Sequence, residues 1–286
     1  MGFIINPYLV QPNIPPFIGI LDTYSGAAAA YSAARRLSST YTGSLIRVRR
    51  SSDNTEQDIG YTAGNVLDEA ALTAFVGAGN GFVTTWYDQS GNGRNTNQTT
   101  AANQPQIVSS GSVIKELGNP AIKFDGSNDF LNGGDILDIN STDWSFALVG
   151  KMTGANQCFF AKSLAGAALN RYYVGSLSGS NLDFGFLNST FGSVGNKSLY
   201  FGYIIASTSR SYAYKNGSYV SDAFASPLPG NSTFDFEFGA YNNGTGAAST
   251  LVPLNGNIQE AIFYNANNLT NRTGIESNIN TFYSIY

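Results

Sequence analysis

Short apolar and aromatic runs recur along the chain from about residue 80 onward. Residues 82–87 (FVTTWY) and 144–149 (WSFALV) are rich in β-branched and aromatic residues, as strands are. Residues 234–238 (FDFEF) alternate strictly, which predicts a strand with Phe on one face and acids on the other. Asn216-Gly217 separates two further runs and is a strong hairpin signal, because both residues tolerate positive φ. This pattern, with 32 glycines for turns, predicts an all-β fold built as a two-sheet sandwich.

Two segments in the first third of the chain have the spacing of helices. Residues 25–37 (SGAAAAYSAARRL) are rich in alanine, and residues 65–76 (NVLDEAALTAFV) begin at Asn65, a residue type that suits a helix N-cap. Between them, residues 44–50 (SLIRVRR) alternate as a half-buried strand does. A third helix is predicted over residues 270–283. The sequence therefore indicates a few short helices added to the sandwich.

Residues 1–18 differ from the rest of the chain and are predicted to form an extended arm, followed by a single domain over residues 19–286. Proline fixes φ and lacks an amide donor, so an extended or polyproline-like path is favoured by four prolines: Pro7, Pro12, Pro15 and Pro16. An unattached linker is usually polar, whereas this segment is apolar, which favours docking onto a partner over a flexible leader. The residues expected to anchor the arm are Phe3, Ile4, Ile5, Tyr8 and Phe17.

Charge and composition exclude several classes of function. The chain has 15 Lys and Arg, 19 Asp and Glu and no His, for a formal net charge of −4. Without histidine there is no Ser-His-Asp triad and no His-ligated zinc, and an acidic chain lacks the positive surface that nucleic acids require. Cys158 is the single cysteine, which excludes a disulfide framework and a multi-cysteine metal site. No apolar run approaches the length of a membrane-spanning helix.

The first seven residues, MGFIINP, have neither the basic region nor the small-residue cleavage site of a secretion signal. This predicts a protein made in the cytoplasm, which could still reach the outside in a particle released by lysis.

The segment Trp86-Tyr87-Asp88-Gln89 combines aromatic rings, a carboxylate and an amide, the kinds of group that border bound sugars. In the alternative interpretation, Asp88 caps the following turn through backbone amides while the two aromatic rings pack between sheet and helix.

Two acidic segments are further candidates. The turn over residues 125–129 (DGSND) offers Asp125 and Asp129 as oxygen ligands for Ca²⁺, although the spacing is not that of an EF-hand and an Asp-Gly turn is the commoner explanation. Asp235 and Glu237 share one face of a predicted strand and could serve as a carboxylate pair, but a solvated outer face is favoured. No cofactor is predicted.

The basic cluster in the first third is expected to pair with nearby acids: Arg35, Arg36, Arg47, Arg49 and Arg50 with Asp53, Glu56 and Asp58.

Several long strings in the chain resemble known families. The order AYSAARRLSSTYTGSLIRVRRSSDNTEQDIGY, LDEAALTAF and WYDQSGNGRNTNQTTAANQPQIV resembles the N-terminal part of the catalytic domain of the arabinofuranosidase B family. The later strings AIKFDGSNDFL, SFALVGKM, YKNGSYV and LNGNIQEAIFYNANNLTNRTGIESNI look like the laminin-G, concanavalin A-like jelly roll. Together these strings cover roughly residues 20–286.

The resemblance implies two antiparallel sheets, one of them with a concave surface that holds sugars. It also implies two carboxylates about 5 Å apart for retaining hydrolysis. The nucleophile of the family lies in a short Asp-Leu-Glu string, whose counterpart here is Asn181-Leu182-Asp183, and Asp183 is therefore the one remnant of a catalytic acid. The stretch that should carry the acid/base contains Tyr241 and Asn242 and no carboxylate, and the two adjacent cysteines of the family are reduced to Cys158.

These departures favour a protein without hydrolytic activity. An apolar leader without a secretion signal, followed by a lectin-like head, resembles virion proteins of tailed bacteriophages, such as fibres or decoration proteins. We therefore predict a homotrimeric virion protein that docks onto other virion proteins through residues 1–17 and presents a glycan-binding head to the host surface. The residues predicted to bind the sugar are Trp86, Tyr87, Asp88, Gln89, Asp183, Tyr241 and Asn242. The alternatives are a glycoside hydrolase of the α-L-arabinofuranosidase type and a structural component without a ligand.

Overall fold

The computed structural model describes residues 15–163, 172–176, 181–185, 189–224, 227–241 and 252–286. Within these residues the chain forms mostly short strands. In chain order they are β1 (Ala27–Ser32), β2 (Ile46–Arg50), β3 (Glu56–Ile59), β4 (Gly81–Trp86), β5 (Thr96–Asn97), β6 (Gln106–Ser109), β7 (Ser112–Val113), β8 (Lys115–Glu116), β9 (Asn119–Pro120), β10 (Ile122–Asp125), β11 (Leu131–Gly134), β12 (Trp144–Met152), β13 (Gln157–Lys162), β14 (Tyr172–Ser176), β15 (Asn181–Gly185), β16 (Ser189–Ser193), β17 (Ser198–Ile205), β18 (Arg210–Lys215), β19 (Ser218–Phe224), β20 (Phe236–Phe238) and β21 (Asn255–Tyr264). The α-helices are α1 (Ile20–Thr23), α2 (Glu69–Val76) and α3 (Arg272–Tyr283).

The strands form two layers that are joined at their margins. The front sheet has the order β3-β2-β4-β5-β11-β20-β13-β14-β15-β16. The back sheet runs β19-β18-β17-β12-β21, and β21 then pairs with β10 through its first half and with β1 through its second half. All of these pairs are antiparallel.

Two connections nearly close the layers on each other. Strand β6 pairs with β4 of the front sheet and with β10 of the back sheet. At the opposite margin, the Ser221 hydroxyl of β19 accepts from the Thr190 amide and donates to the Thr190 carbonyl of β16, both at 2.7 Å. The predicted all-β class is therefore confirmed, as a mostly antiparallel and nearly closed sheet with few helices.

Apolar side chains gather on both sides of the back sheet. The inner core lies between the layers and includes Trp86, Trp144, Phe146, Phe238 and Phe263. The outer core lies between the back sheet and helices α1 and α3, and includes Leu199, Ile262, Ile275, Ile279 and Tyr283. Because the outer core covers the far face of the back sheet, the front sheet is the layer whose outer face is left for a polar site.

The predicted helix over residues 25–37 is wrong, because β1 occupies Ala27–Ser32. All six residues of this strand are buried, with Tyr31 in the inner core and Ala30 in the outer core. Pairing with β21 and burial on both faces override the helix propensity of alanine, which is a weak preference compared with tertiary packing.

The other elements agree more closely with the sequence pattern. Helix α2 begins later than predicted, because the carboxylate of Asp68 and not Asn65 caps it, accepting from the Ala71 amide at 2.9 Å. The Asn216-Gly217 hairpin joins β18 to β19 with both φ angles positive, at 51° and 75°. Helix α3 lies within the predicted range. No helix in the described part of the chain is long and apolar enough to cross a bilayer.

Candidate functional site

The segment proposed to border a sugar instead supports the fold. Trp86 is fully buried in the inner core, where its ring contacts those of Tyr31 and Phe238 at centroid distances of 5.5 and 5.1 Å. No face of the Trp86 ring is therefore open to a sugar. Tyr87 is half-buried, and its hydroxyl donates to Asp58 at 2.7 Å.

Asp88 and Gln89 are buried at the junction between the layers. The Asp88 carboxylate accepts from the amides of Ala30, Ser90 and Arg94 at 2.9–3.0 Å. The Gln89 side chain accepts from the Leu37 amide at 2.8 Å and donates to the Arg35 carbonyl. These contacts follow the turn-capping alternative and occupy the polar groups that a sugar would need.

The acidic turn between β10 and β11 is closed by its own hydrogen bonds. Asp125 Oδ1 accepts from the amides of Ser127 and Asn128, and Asp129 Oδ2 accepts from the Asp125 amide at 2.9 Å. In the described part of the chain, no group of three or more Asp, Glu, Cys or His side chains comes together in a way that could hold a metal ion. The contacts fit the Asp-Gly turn that the sequence offered as the commoner explanation.

Burial makes Asp129 a source of pH dependence in stability. Burial first, and then the nearby charge of Asp125, raise the pKa of Asp129 to about 7 from an ordinary value near 4. Between these two pKa values the folded state holds a proton that the unfolded chain releases. The contribution of Asp129 to the free energy of unfolding is therefore greatest below about pH 4 and is lost as the pH rises to about 7. We expect Asp129→Asn to be more stable than the wild type at pH 8 by on the order of 2 kcal/mol, with no such gain at pH 4. Urea unfolding at both pH values measures this, and equal differences at the two would contradict it.

A different set of side chains lies together on the outer face of the front sheet. Phe236 and Phe238 of β20 point into the inner core, so Glu237 between them points outward. In register across the sheet, Glu237 lies opposite Ala161, and Ala161 lies opposite Tyr173. A neighbouring row consists of Cys158, Gly175, Asp183 and Thr190. We define the outer patch as the following seven residues: Cys158, Ala161, Tyr173, Gly175, Asp183, Glu237 and Tyr241.

Small residues form the centre of the outer patch, which we call its floor, and the larger Tyr173, Tyr241, Asp183 and Glu237 lie around it. Cys158, Ala161 and Gly175 carry little or no side chain, and a Cβ on Gly175 would lie 3.1 Å from the Cys158 sulfur. The Tyr173 ring lies over Gly185, where an added Cβ would be within 2 Å of the ring. Glycine at position 185 is therefore required for this position of the tyrosine.

The two tyrosines of the patch pack edge to face. Tyr173 and Tyr241 have a centroid distance of 5.6 Å and an interplanar angle of 90°, and they form an apolar cluster with Cys158 and Ala161. Such a pair adds about 0.5–1.5 kcal/mol beyond the area that it buries, which holds both rings in place. Only 8% of Tyr173 and 7% of Tyr241 is exposed.

Carboxylates stand on two sides of this cluster. Asp183 is half-buried on β15, and burial raises its pKa against the opposing effect of the Thr190 hydroxyl. Glu237 is only 5% exposed, so the predicted solvated face is wrong for this residue. The Asn132 amide donates to Asp235 at 2.9 Å and lies 3.4 Å from Glu237 Oε1. Burial, and then the negative charge of Glu237, raise the pKa of the Cys158 thiol.

The structure thus brings together two of the predicted sugar-binding residues, Asp183 and Tyr241, and separates them from the segment Trp86–Gln89. Tyr173 was not predicted from the sequence as a site residue. Glu237 was signalled only by the alternation over residues 234–238, which places its side chain on the face away from the two phenylalanines. Asn242 and the arm residues Phe3, Ile4, Ile5 and Tyr8 lie outside the described residues. Phe17 is half-buried beside the Arg36 guanidinium, 5.3 Å from its ring centroid.

Comparison with known proteins connects the first third of the chain to one family. Residues 22–123 match the family described as "Alpha-L-arabinofuranosidase B, catalytic". A probable α-L-arabinofuranosidase B of Aspergillus flavus is 35% identical over 109 residues, which cover 36% of this chain and 22% of the relative. The α-L-arabinofuranosidase B of Emericella nidulans is 36% identical over 109 residues, which cover 36% of this chain and 21% of the relative. The chain thus matches about a fifth of the length of these relatives.

Solved structures share the fold over most of the chain. An arabinofuranosidase complexed with arabinofuranosyl-α-1,2-xylobiose has a TM-score of 0.66 at 18% identity, covering 92% of this chain and 64% of that chain. A GH54 α-L-arabinofuranosidase soaked with a cyclic sulfate inhibitor has a TM-score of 0.66 at 17% identity, covering 92% and 65%. At this identity the likeness concerns the fold alone.

These findings correct the prediction of a bacteriophage virion protein, which is wrong. The relatives in sequence are arabinofuranosidases of Aspergillus and Emericella, and the matching folds are arabinofuranosidases as well. The predictions of virion partners, a homotrimer, a host-surface glycan and a virion location are wrong for the same reason. Residues 22–123 of this chain are therefore similar in sequence to the catalytic domain of the arabinofuranosidase B family, and most of the chain shares the fold of solved arabinofuranosidases.

Proposed function

We propose that the chain is a glycoside hydrolase domain of the α-L-arabinofuranosidase type, with a concanavalin A-like jelly roll whose outer patch binds the sugar. The observation that carries the proposal is the placement of Asp183 beside paired tyrosines on a floor of small residues, in a chain related to arabinofuranosidases.

The outer patch has the composition of a small-ligand site. Such sites are mostly apolar and aromatic, with a few polar groups that fix the orientation of the ligand. Here Tyr173 and Tyr241 supply the aromatic side chains, Cys158, Ala161 and Gly175 supply small apolar neighbours, and Asp183 and Glu237 supply the carboxylates. The Cys158 thiol is fully buried and donates to the Phe160 carbonyl, so it contributes shape to the floor and no reactivity.

Although the resemblance makes Asp183 the counterpart of the family's nucleophile, its burial gives it the properties of a proton donor. Hydrolysis of a glycoside needs a carboxylic acid that gives its proton to the leaving oxygen as the bond to the sugar breaks. Burial raises the pKa of Asp183 above its ordinary value, so the carboxyl stays protonated at a higher pH than an exposed aspartate. We therefore expect activity to be lost as pH rises and Asp183 ionises.

Turnover of an aryl α-L-arabinofuranoside tests the proposal. The wild type should release the phenol, and Asp183→Asn should lower kcat by about 10²–10⁴-fold, because the amide cannot give up a proton. Asp53→Asn is the matched control, since it removes a carboxylate from an exposed ion pair with Arg50 and should leave kcat unchanged. A wild type that hydrolyses no arabinofuranoside, or an Asp183→Asn variant as active as the wild type, would contradict the proposal.

A further inference from the structure

A cavity of about 370 Å³ lies at the margin where β6 joins the front sheet to the back sheet. One side of it is a row of side chains that lie opposite one another in the register of the strands: Phe82 of β4, Gln106 of β6 and Lys123 of β10. The next residue of each strand belongs to the inner core, so the row faces outward. Side chains directly opposite each other have Cβ atoms about 4.5–5.5 Å apart, so the row can present three side chains to one ligand. Sites for small molecules run from about 300 to 1,000 Å³, and this cavity falls within that range.

Contacts between its walls keep the cavity in shape. The Asn128 side chain donates to Asn103 Oδ1 at 2.8 Å, which joins the turn after β10 to the turn before β6. Arg49 Nε donates to the Gln104 side chain at 2.6 Å, and the Arg49 guanidinium lies 4.9 Å from the centroid of the Phe82 ring. A site that is ordered before its ligand arrives loses less conformational entropy on binding.

Charged groups of both signs line the cavity. Lys123 is exposed, and its ammonium makes no hydrogen bond or salt bridge to the residues that the structure describes. Asp125 is also exposed and accepts from two amides of its own turn through Oδ1. Asp129 is only 6% exposed, yet it lines the cavity, and it accepts from the Asp125 amide through Oδ2. The ammonium and the second oxygen of each carboxyl group are therefore left for a ligand.

This combination fits a neutral polar ligand better than an ion. The positive charge of Lys123 disfavours a metal ion, and the two carboxyl groups disfavour an anion such as phosphate. A sugar ring has hydroxyls that both donate and accept hydrogen bonds, and it has apolar C–H groups as well. Such a ring can donate to Asp125, accept from Lys123 and pack its C–H groups against Phe82.

We propose that this cavity is a second glycan-binding site, which holds one neutral sugar unit of an oligosaccharide or polysaccharide. This goes beyond the proposed function, because it requires no catalytic group and lies apart from the outer patch. Five spacings of about 4.8 Å separate β4 from β14, which carries Tyr173, so these strands are about 24 Å apart along the front sheet. One sugar unit therefore occupies the cavity or the outer patch, and not both.

Titration calorimetry of the full chain with hexasaccharides of xylose, glucose and mannose tests the proposal. We expect the wild type to bind at least one of these neutral glycans. Lys123→Met removes the charged donor and Phe82→Ala removes the apolar contact, so each should raise the Kd for that glycan at least about tenfold. Because Lys123 is exposed, Lys123→Met keeps the fold and decides the question if circular dichroism shows that Phe82→Ala does not fold.

The chain offers a matched control for each variant. Phe75 is likewise half-buried beside an arginine, with the Arg50 guanidinium 5.1 Å from its ring centroid, but it lies on α2 outside the cavity. Lys115 is an exposed lysine that pairs with Glu69 at 2.8 Å, also outside the cavity. Phe75→Ala and Lys115→Met should bind the glycan as tightly as the wild type.

The outcomes separate this inference from the proposed function. A wild type that binds none of the three hexasaccharides, or a Lys123→Met variant that binds like the wild type, would overturn the inference. Tighter binding of hexagalacturonate than of every neutral hexasaccharide would also overturn it, because the site would then prefer an anion. Turnover of the aryl arabinofuranoside without glycan binding at the cavity would overturn this inference alone, and glycan binding without turnover would overturn the proposed function alone.

Discussion

Replacement of Arg35 by methionine is expected to lower the free energy of unfolding by about 3–5 kcal/mol, because it leaves a buried carboxylate without its partner. Arg35 follows β1, and its guanidinium makes two hydrogen bonds to Glu260 of β21, at 2.7 and 2.8 Å. It also donates to Asn278 of α3, and the Tyr283 hydroxyl of α3 donates to Glu260. The pair therefore joins the C-terminal helix to the back sheet.

The double variant Arg35→Met/Glu260→Met is the control for this expectation. Removing both partners of a buried ion pair is often nearly neutral, whereas removing one leaves an unpaired charge. Urea unfolding of the two single variants and the double variant measures the coupling. If Arg35→Met cost less than about 1 kcal/mol, the pair would be behaving as a surface salt bridge, contrary to its burial.

Asp88→Ala should be the second most damaging of these substitutions, with a loss of about 3 kcal/mol in the free energy of unfolding. Three backbone amides donate to this carboxylate, from Ala30, Ser90 and Arg94, and a buried amide without a partner costs about 1–3 kcal/mol. The Ala30 amide belongs to β1, so loss of the carboxylate also weakens the contact between β1 and the turn after β4.

Asp88→Asn distinguishes this structural role from sugar binding. The amide oxygen of asparagine can still accept from Ala30 and Ser90, while the NH2 group faces the Arg94 amide, so an intermediate loss is expected. Thermal unfolding measures both variants. A variant with unchanged stability but impaired sugar binding would show that the segment is part of the binding site after all.

Hairpins, and strands that bury only one of their two faces, could be predicted from the local sequence. Asn216 and Gly217 take the positive φ angles that these residue types favour in a hairpin turn. The alternation over residues 234–238 correctly places Glu237 on the face of its strand away from Phe236 and Phe238, which lie in the inner core. Arg47 pairs with Glu56 and Asp58, and Arg50 with Asp53, as expected from acids nearby in the sequence. In each case the determining contact lies within about a dozen residues.

Local sequence patterns gave wrong predictions where contacts between distant parts of the chain determine the structure. Alanine favours a helix over residues 25–37, yet β21, more than 200 residues away, makes this segment a strand. Arg35 pairs with Glu260 and not with the neighbouring acids, for the same reason. Tyr173 joins the outer patch only because β13, β14 and β15 align in one register, and no local feature of its sequence indicates this.

The resemblance in the first third of the chain reflects the scaffold more than the chemistry. The matching residues 22–123 include the buried Trp86, Asp88 and Gln89, which fix the junction of β1 and β4. The outer patch is contributed by residues 158–241, beyond that match. Core and turn residues such as these must satisfy many partners at once, so they identify the fold, whereas the activity depends on the side chains placed on it.

A crystal structure of Asp183→Asn soaked with arabinofuranosyl-α-1,2-xylobiose tests most directly whether the outer patch is the site that binds and cleaves arabinofuranosides. We expect the arabinofuranosyl ring beside Tyr173 and Tyr241, over the floor of Cys158, Ala161 and Gly175, with its glycosidic oxygen within hydrogen-bonding distance of residue 183. A sugar bound only elsewhere on the protein, or an empty patch at saturating ligand, would contradict this assignment.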